Sequence, residues 1–275
     1  MDKIRKANTI RKKEGYWSLI WKTLRFINYQ IEKKAQENID RPHYRFCANL
    51  AGKQAERLGI NRISLIEFGV AGGSGLVALE KHVSRLEEKY DVTYEIYGFD
   101  TGEGLPEPEN HADFPYYWDR AHYDMDVELL RSELDRSTLV LGDVKETIPS
   151  FVSDYDPAPI GAIYVDLDYY SSTRDALEIL NVEDSNILPR VPIYFDDILG
   201  GQNLRMTIPE IGESKAIEEY NKSSKQEKIG KLQFSRSHSE KIRPKRQFAY
   251  HRFKHKMYTE YIGKGDRQLP LRIDD

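Results

Sequence analysis

The chain has one cysteine, no long apolar run and little net charge, and each shortage argues against a class of protein. Cys47 is the single cysteine among 275 residues, which excludes an internal disulfide framework and a cysteine-based zinc site. No run approaches the ~18 apolar residues of a membrane-spanning helix, and the N-terminus has no signal-peptide pattern. The net charge of −4 gives no overall indication of nucleic-acid binding. We therefore expect a cytoplasmic protein.

The composition is that of a folded chain, with 39% hydrophobic, 31% charged and 11% aromatic residues. A chain of this length can bury one sizeable core. We expect one domain over residues 41–275, preceded by a basic amphipathic helical arm over residues 1–40. Residues 1–36 hold ten Lys and Arg against three acids, and an apolar stripe runs from Trp17 to Ile27.

Two interpretations of this arm are open. It could make a peripheral contact with an anionic membrane or substrate, or its stripe could pack on the main domain or on a second subunit of a homo-oligomer. We favour packing.

A second basic stretch, residues 222–256, has twelve Lys and Arg against two acids. We expect a helix at 213–220 and strands at 231–236 and 247–253 around it. Without a recognition helix, such a stretch is usually a solvated surface, so a nucleic-acid partner is not expected.

A glycine-rich turn follows the first apolar strand, which ends near Phe68. The glycines at 69, 72, 73 and 75 let the backbone approach a ligand where a Cβ would collide. An amphipathic helix from Leu76 to about Glu88 then points its first amide groups back at the turn. The pattern predicts a cradle for a nucleotide-type ligand, with an ordinary tight turn as the alternative.

An acid inside this segment distinguishes two kinds of cradle. The dinucleotide fingerprint G-x-G-x-x-G has its acid about twenty residues downstream. Here Glu67 precedes the first glycine, and Ala71 stands where that fingerprint has its second glycine. The order Glu67, Gly69, Ala71, Gly73 resembles motif I of the class I S-adenosylmethionine methyltransferases, which is acid-x-Gly-x-(Gly/Ala)-x-Gly.

Four more apolar strands are expected at 93–100, 137–143, 161–166 and 190–197, each with an acid at its end. Strands that alternate with helices predict a doubly wound, Rossmann-like α/β sheet, and the carboxyl ends of its parallel strands share one edge. Asp100 lies about thirty residues past the glycine turn and suits the two hydroxyls of a ribose. Asp143 and Val144 would then lie at the adenine.

Three acids suggest a cation. Asp166 ends the fourth strand and the pair Asp196 and Asp197 ends the adjacent fifth, so three carboxylates would repel one another without a positive partner. Oxygen-only ligands favour Mg²⁺. The alternative is that these acids cap a loop and bond backbone amides. Asp168 is equally open, as a further ligand or as the cap of the following helix.

A long aromatic loop at about 101–123 emerges beside this edge. It is either a substrate lid or a rigid aromatic cluster that plugs the end of the sheet. His111 and His122 lie in it and are candidate proton acceptors at neutral pH, to be considered with Asp166 as catalytic residues.

Five segments together resemble the macrocin O-methyltransferase-like family of the class I fold. They are Glu-Phe-Gly-Val-Ala-Gly-Gly-Ser at 67–74, Tyr-Gly-Phe-Asp-Thr-Gly-Glu-Gly-Leu-Pro at 97–106, Leu-Gly-Asp-Val at 141–144, Val-Asp-Leu-Asp-Tyr-Tyr-Ser-Ser-Thr at 165–173 and Tyr-Phe-Asp-Asp at 194–197. The resemblance implies seven strands, the last antiparallel, with S-adenosylmethionine as methyl donor. It also implies a divalent metal, usually magnesium, that holds a sugar diol for methylation.

The resemblance distributes roles over named residues. It implies that the glycine turn and the ends of the first strands bind the methyl donor, through Glu67, Gly69, Ala71, Gly73, Ser74, Asp100, Thr101, Asp143 and Val144. It implies that the metal is bound by Asp166, Asp196 and Asp197. Gly102 departs from the aromatic residue common in the family, and the basic C-terminal region has no match, so a sugar or another small polar acceptor fits equally.

Two other functions compete with O-methyl transfer. Asp166-Leu-Asp168 could be the Asp-x-Asp of a metal-dependent glycosyltransferase, although the glycine turn does not fit that class. A binding protein that keeps the fold without chemistry is the other alternative, against which the acids at all five strand ends weigh.

Overall fold

The computed structural model describes residues 40–200, 205–234 and 240–263. Within them lie six α-helices and seven strands. The helices are α1 Pro42–Arg57, α2 Ser74–Glu87, α3 Val127–Glu133, α4 Val144–Tyr155, α5 Tyr170–Ala176 and α6 Gly212–Ser223. The strands are β1 Arg62–Phe68, β2 Thr93–Asp100, β3 Ser137–Leu141, β4 Ile160–Val165, β5 Arg190–Phe195, β6 Glu227–Lys231 and β7 Gln247–Arg252.

All seven strands form one sheet in the order β3-β2-β1-β4-β5-β7-β6. Strands β1 to β5 pair in parallel, and β7 pairs antiparallel with both β5 and β6. The predicted doubly wound sheet with an antiparallel last strand is therefore confirmed. The chain moves outward from β1 to β3 and returns to β4, so the strand order reverses between β1 and β4. In an open α/β sheet, ligands bind outside the carboxyl ends of the strands at this reversal.

Helices cover both faces of the sheet, as right-handed crossovers require. On one face α1 packs against α2 and against β1, β4 and β5, with the Tyr44 ring stacked on Tyr164 at 4.4 Å. On the other face Phe151 of α4 meets the rings of Tyr97 and Phe99 at 5.0 and 5.1 Å. The strands between are buried almost throughout, which gives the site at their ends a rigid support.

Local hydrogen bonds determine where two of these elements begin. Helix α4 begins at Val144, because Asp143 caps it through the amide of Lys145, and Pro149 lies inside it. The strand expected at 231–236 is instead β6, Glu227–Lys231. Here Asn221 of α6 bonds both the amide and the carbonyl of Ile229 at 2.8 Å and thereby fixes the edge strand four residues earlier.

The predicted arm over residues 1–40 lies outside the described residues, apart from Asp40, and its role stays a prediction. Across the described ranges, none of the helices has the length and apolar character that crossing a membrane would require.

Arg252 connects the antiparallel end of the sheet to the chain that follows α5. It is 8% exposed and donates to the carbonyls of Leu180 at 2.7 Å and Val182 at 2.8 Å, and it pairs with Asp184 and Glu227 at 3.0 and 3.1 Å. Replacing it by methionine removes all four contacts from a buried position. We expect Arg252→Met to lower the free energy of unfolding by about 2–4 kcal/mol, measured by urea denaturation.

The matched control is Arg120→Met. Arg120 pairs with Glu107 at 3.5 Å, but both side chains are about 70% exposed, so the loss should stay below about 0.5 kcal/mol. Equal losses in the two variants would show that the buried contacts of Arg252 do not hold the sheet end in place.

Candidate functional site

A cavity of about 300 Å³ lies at the carboxyl edge of the parallel strands, where the sequence predicts a shared site. Its wall combines the glycine turn, the acids that end the strands and part of the long loop. The lining residues that were predicted as site residues are Glu67, Gly69, Ala71, Ser74, Asp100, Thr101, His122, Asp143, Val144, Asp166, Asp196 and Asp197. Gly73, also predicted, does not line the cavity and is the N-cap residue of α2.

The glycine turn is bound tightly between β1 and its neighbours. Gly69 has a φ of 82°, and a Cβ there would come within 1.9 Å of the Asp166 carbonyl oxygen. The Asp100 carboxylate accepts hydrogen bonds from the amides of Val70 at 2.9 Å, Ala71 at 3.0 Å and Gly102 at 2.8 Å. Asp100 therefore fixes the turn from the end of β2, a role beyond the ribose contact predicted for it. A carboxylate has about four lone-pair positions, which leaves room for a ligand hydroxyl.

Glu67 is buried beneath the first turn of α2. Its Oε1 accepts from the Tyr44 hydroxyl at 2.7 Å, while its Oε2 has no partner among the described residues. A Cβ on Gly75 would lie 1.8 Å from Oε1, so the glycine lets the helix sit directly on the carboxylate. Burial raises the pKa of Glu67 to about 7 and outweighs the opposing effects of Tyr44 and Arg41. Tyr44 was not predicted as a site residue, because a tyrosine on a covering helix gives no distinguishing signal in the sequence.

Three carboxylates from adjacent strand ends meet on the other side of the cavity. Asp166, Asp196 and Asp197 each offer an oxygen within 4.8 Å of the others. No described residue donates a hydrogen bond to the Asp166 carboxylate, and Asp197 Oδ2 is buried without a partner in the described part of the chain. Burial and the charges of Asp197 and Asp196 raise the pKa of Asp166 well above its usual range. All three are oxygen ligands, and Asp166 and Asp197 keep free positions, so the set fits a divalent cation such as Mg²⁺.

Arginines from distant segments partly compensate this negative charge. Arg205 bonds Asp197 and, at 2.8 Å, the carbonyl of Leu199. Arg243 and Arg246 reach Asp196 at 2.5 and 2.6 Å, and the Tyr194 hydroxyl bonds the same carboxylate. Tyr194 and the two arginines keep the pKa of Asp196 low although its burial acts in the opposite direction. The basic stretch that was interpreted as a solvated surface thus supplies two residues to the edge of the site.

Asp168 does not cap the next helix, which was one of the two predicted roles. Tyr169 is the N-cap residue of α5 and makes no side-chain cap bond. Instead Asp168 has a left-handed φ of 57°, lines the cavity and lies 3.8 Å from Arg205. Burial and the charges of Asp197 and Asp166 raise its pKa to about 9. A non-glycine residue held in this conformation at a cavity is typical of a functional position.

Glu213, at the start of α6, is an acid that the sequence analysis missed. It is 1% exposed, accepts from the Asp197 amide at 2.9 Å and has Oε1 unpaired within the described ranges. Burial, followed by the charge of Asp197, raises the pKa of Glu213 well above its usual range. A glutamate at a helix start is ordinary in a sequence, so nothing local distinguishes it.

The long loop after β2 has features of both predicted roles. Phe114 is buried, while Trp118 contacts the rings of both Tyr117 and Tyr123 in an aromatic cluster. His122 lies at the cavity against Trp118, with the two ring centroids 6.4 Å apart. His111 does not line the cavity and is exposed in a short 3-10 turn. The geometry therefore favours His122 over His111 as a candidate proton acceptor.

No protein-family model and no curated protein matches this chain. The solved structures similar to it include the calicheamicin methyltransferase CalS11, with 23% identity over 74% of this chain and 76% of that chain at a TM-score of 0.52. They also include the O-methyltransferase NovP, with 16% identity over 78% of this chain and 79% of that chain at a TM-score of 0.53. Likeness at this level shows the fold alone, and it confirms the predicted Rossmann-like α/β sheet, which these two methyltransferases share. The narrower macrocin-like resemblance stays a prediction.

The buried Glu67 predicts a specific dependence of stability on pH. Its pKa rises from 4.5 in a solvated state to about 7 in the fold. Between these two pH values Glu67 therefore keeps its proton in the folded chain, whereas it has released it in the unfolded chain. The stabilisation is complete below about pH 4.5 and is lost as the pH rises through about 7. Between pH 5 and pH 7.5 the wild type should lose on the order of 2–3 kcal/mol relative to Glu67→Gln, measured by urea unfolding. Parallel pH profiles for the two proteins would contradict this assignment.

Proposed function

We propose that the protein is an S-adenosylmethionine-dependent O-methyltransferase that acts on a hydroxyl of a sugar or another small polar acceptor. One observation carries the proposal. A single cavity has the glycine turn, Asp100 and Asp143 on one side and the carboxylates Asp166, Asp196 and Asp197 on the other. A methyl donor and an acceptor held on these two sides would face each other across the reversal of strand order.

The donor half follows from the contacts of the turn. Asp100 is fixed by three backbone amides and stays at the end of β2, where it can accept from ribose hydroxyls. Thr101, which donates to the Gly104 carbonyl at 2.8 Å, orients the start of the loop beside it. Gly142, Asp143 and Val144 form the wall at the end of β3 and would border the adenine. Glu67 and Gly75 hold the turn from beneath.

The acceptor half would include a divalent cation. Asp166, Asp196 and Asp197 would hold it, because the first has no hydrogen-bond donor among the described residues and the last has an unpaired oxygen. When bound, Mg²⁺ lowers the pKa of a coordinated hydroxyl and orients it. His122 lines the same cavity, and its side chain could accept the acceptor's proton. Arg205 holds Asp197 and Asp168 in position.

The first test is isothermal titration of the wild type with S-adenosylhomocysteine, a UDP-sugar and NAD. We expect only S-adenosylhomocysteine to bind. Loss of charge-assisted hydrogen bonds to the ribose costs roughly 1.5–3 kcal/mol each, so Asp100→Ala should weaken binding at least about tenfold. Binding of the UDP-sugar alone would favour the glycosyltransferase, and an unchanged dissociation constant in folded Asp100→Ala would remove the ribose assignment.

The second test concerns the cation. Titration with Mg²⁺ should show one binding event in the wild type that Asp166→Asn and Asp197→Asn abolish, since each variant removes one of three charged ligands. Methyl transfer to an identified acceptor should fall at least about a hundredfold in these variants and after EDTA treatment.

The control is Asp126→Asn, at an exposed acid that caps α3 through the amide of Leu129. Asparagine caps helices as well as aspartate, so this variant should behave as the wild type. Full activity after EDTA, or in both metal-ligand variants, would leave donor binding in place and remove the cation from the proposal.

A further inference from the structure

The wall of the cavity is rich in acidic side chains and also contains one arginine, Arg41. Seven acids line it: Glu67, Asp100, Asp143, Asp166, Asp168, Asp196 and Asp197. Among the lining residues that the structure describes, Arg41 is the one lysine or arginine. A methyl donor of the proposed type is cationic at its sulfonium and at its α-amino group, and both charges suit this wall. The α-carboxylate of the donor does not suit this wall, because it would lie near the acidic side chains without a positive partner.

Arg41 is held at the donor side by its own backbone. It precedes Pro42 with a left-handed φ of 43°, and its carbonyl accepts the amides of Tyr44 at 2.9 Å and Arg45 at 3.4 Å at the start of α1. These bonds fix the backbone of Arg41 as the N-cap residue of α1, from which its side chain leaves. Arg41 therefore enters the cavity from a structured position.

The guanidinium of Arg41 lies over the glycine turn. It stands 5.1 Å above the Tyr44 ring and donates one hydrogen bond, to Ser74 Oγ at 2.5 Å. A guanidinium has five N–H donors in a planar fork, which matches both oxygens of a carboxylate. Ser74 is also the first residue of the 14-residue helix α2, whose opening amides favour negative charge at the same place.

We infer that Arg41 is the specificity residue that binds the α-carboxylate of the methyl donor, together with Ser74 and the start of α2. This inference rests on the proposed function. It divides the cavity by charge: Arg41 receives the anionic end of the donor, and the acids receive its sulfonium and ammonium groups. Nucleosides that lack the carboxylate would then bind poorly, although the adenine and ribose contacts are the same.

A structural role for Arg41 is the competing explanation. Its charge lowers the pKa of the buried Glu67, so Arg41 could support the turn without touching the ligand. No hydrogen bond joins the two side chains within the described residues, because Glu67 Oε1 accepts from Tyr44 instead. Loss of a structural support would weaken every donor analogue equally, whereas loss of a carboxylate contact would weaken only those that carry one.

The test compares S-adenosylmethionine with its decarboxylated form, which lacks only the α-carboxylate, by isothermal titration. The wild type should bind S-adenosylmethionine at least about tenfold more tightly. Arg41→Ala should lose this preference while it binds the decarboxylated form as the wild type does. Arg41→Lys, which keeps the charge but not the fork, should retain part of the preference. Arg45→Ala, at an arginine on the same helix turn that does not line the cavity, should keep all of it.

Other outcomes overturn the inference. An equal affinity of the wild type for both ligands would do so, even if an arginine variant failed to fold. A loss by the same factor for both ligands in folded Arg41→Ala would assign Arg41 a structural role. If the wild type bound neither ligand, the proposed function would fall together with the inference, whereas the preceding outcomes leave donor binding intact.

Discussion

The carboxylates at the carboxyl edge of the sheet repel one another, and the C-terminal part of the chain supplies the positive charges that compensate this repulsion. Asp166, Asp196 and Asp197 bring their oxygens within 4.8 Å of one another, and Asp168 and Glu213 border the same place. Two like charges 4 Å apart cost about 4 kcal/mol at an effective dielectric constant of 20. The positive charge comes from chain beyond β5: Arg205, Arg243 and Arg246 reach back to the strand ends. The C-terminal third is thus part of the site.

The sheet and the position of the site follow from local rules. Apolar strands of regular spacing predicted β1, β2, β4 and β5 to within about two residues, because burial on both faces leaves a continuous apolar run. The reversal of strand order then determines where the ligand edge lies. Acids at strand ends could be placed together without any contact information, since parallel strands end at one edge.

The partners of those acids could not be predicted, because they depend on long-range packing. Arg243 lies 47 residues from Asp196 and Tyr44 lies 23 residues from Glu67, and each belongs to a residue type that is usually ordinary surface or core. The basic C-terminal stretch was interpreted as a solvated hairpin for this reason. His111 was proposed from residue type alone, and the structure places it outside the cavity wall.

Acids in equivalent positions at the strand ends have different roles because their hydrogen-bond donors differ. Asp100 accepts hydrogen bonds from three backbone amides, so it fixes the glycine turn. Asp143 caps α4 through the amide of Lys145 and needs no cation. Asp166 receives no donor from the described residues, and its pKa is raised. A carboxylate without donors gains much from a bound cation, which is why the proposed mechanism has the cation at the ends of β4 and β5 and the methyl donor at β1 to β3.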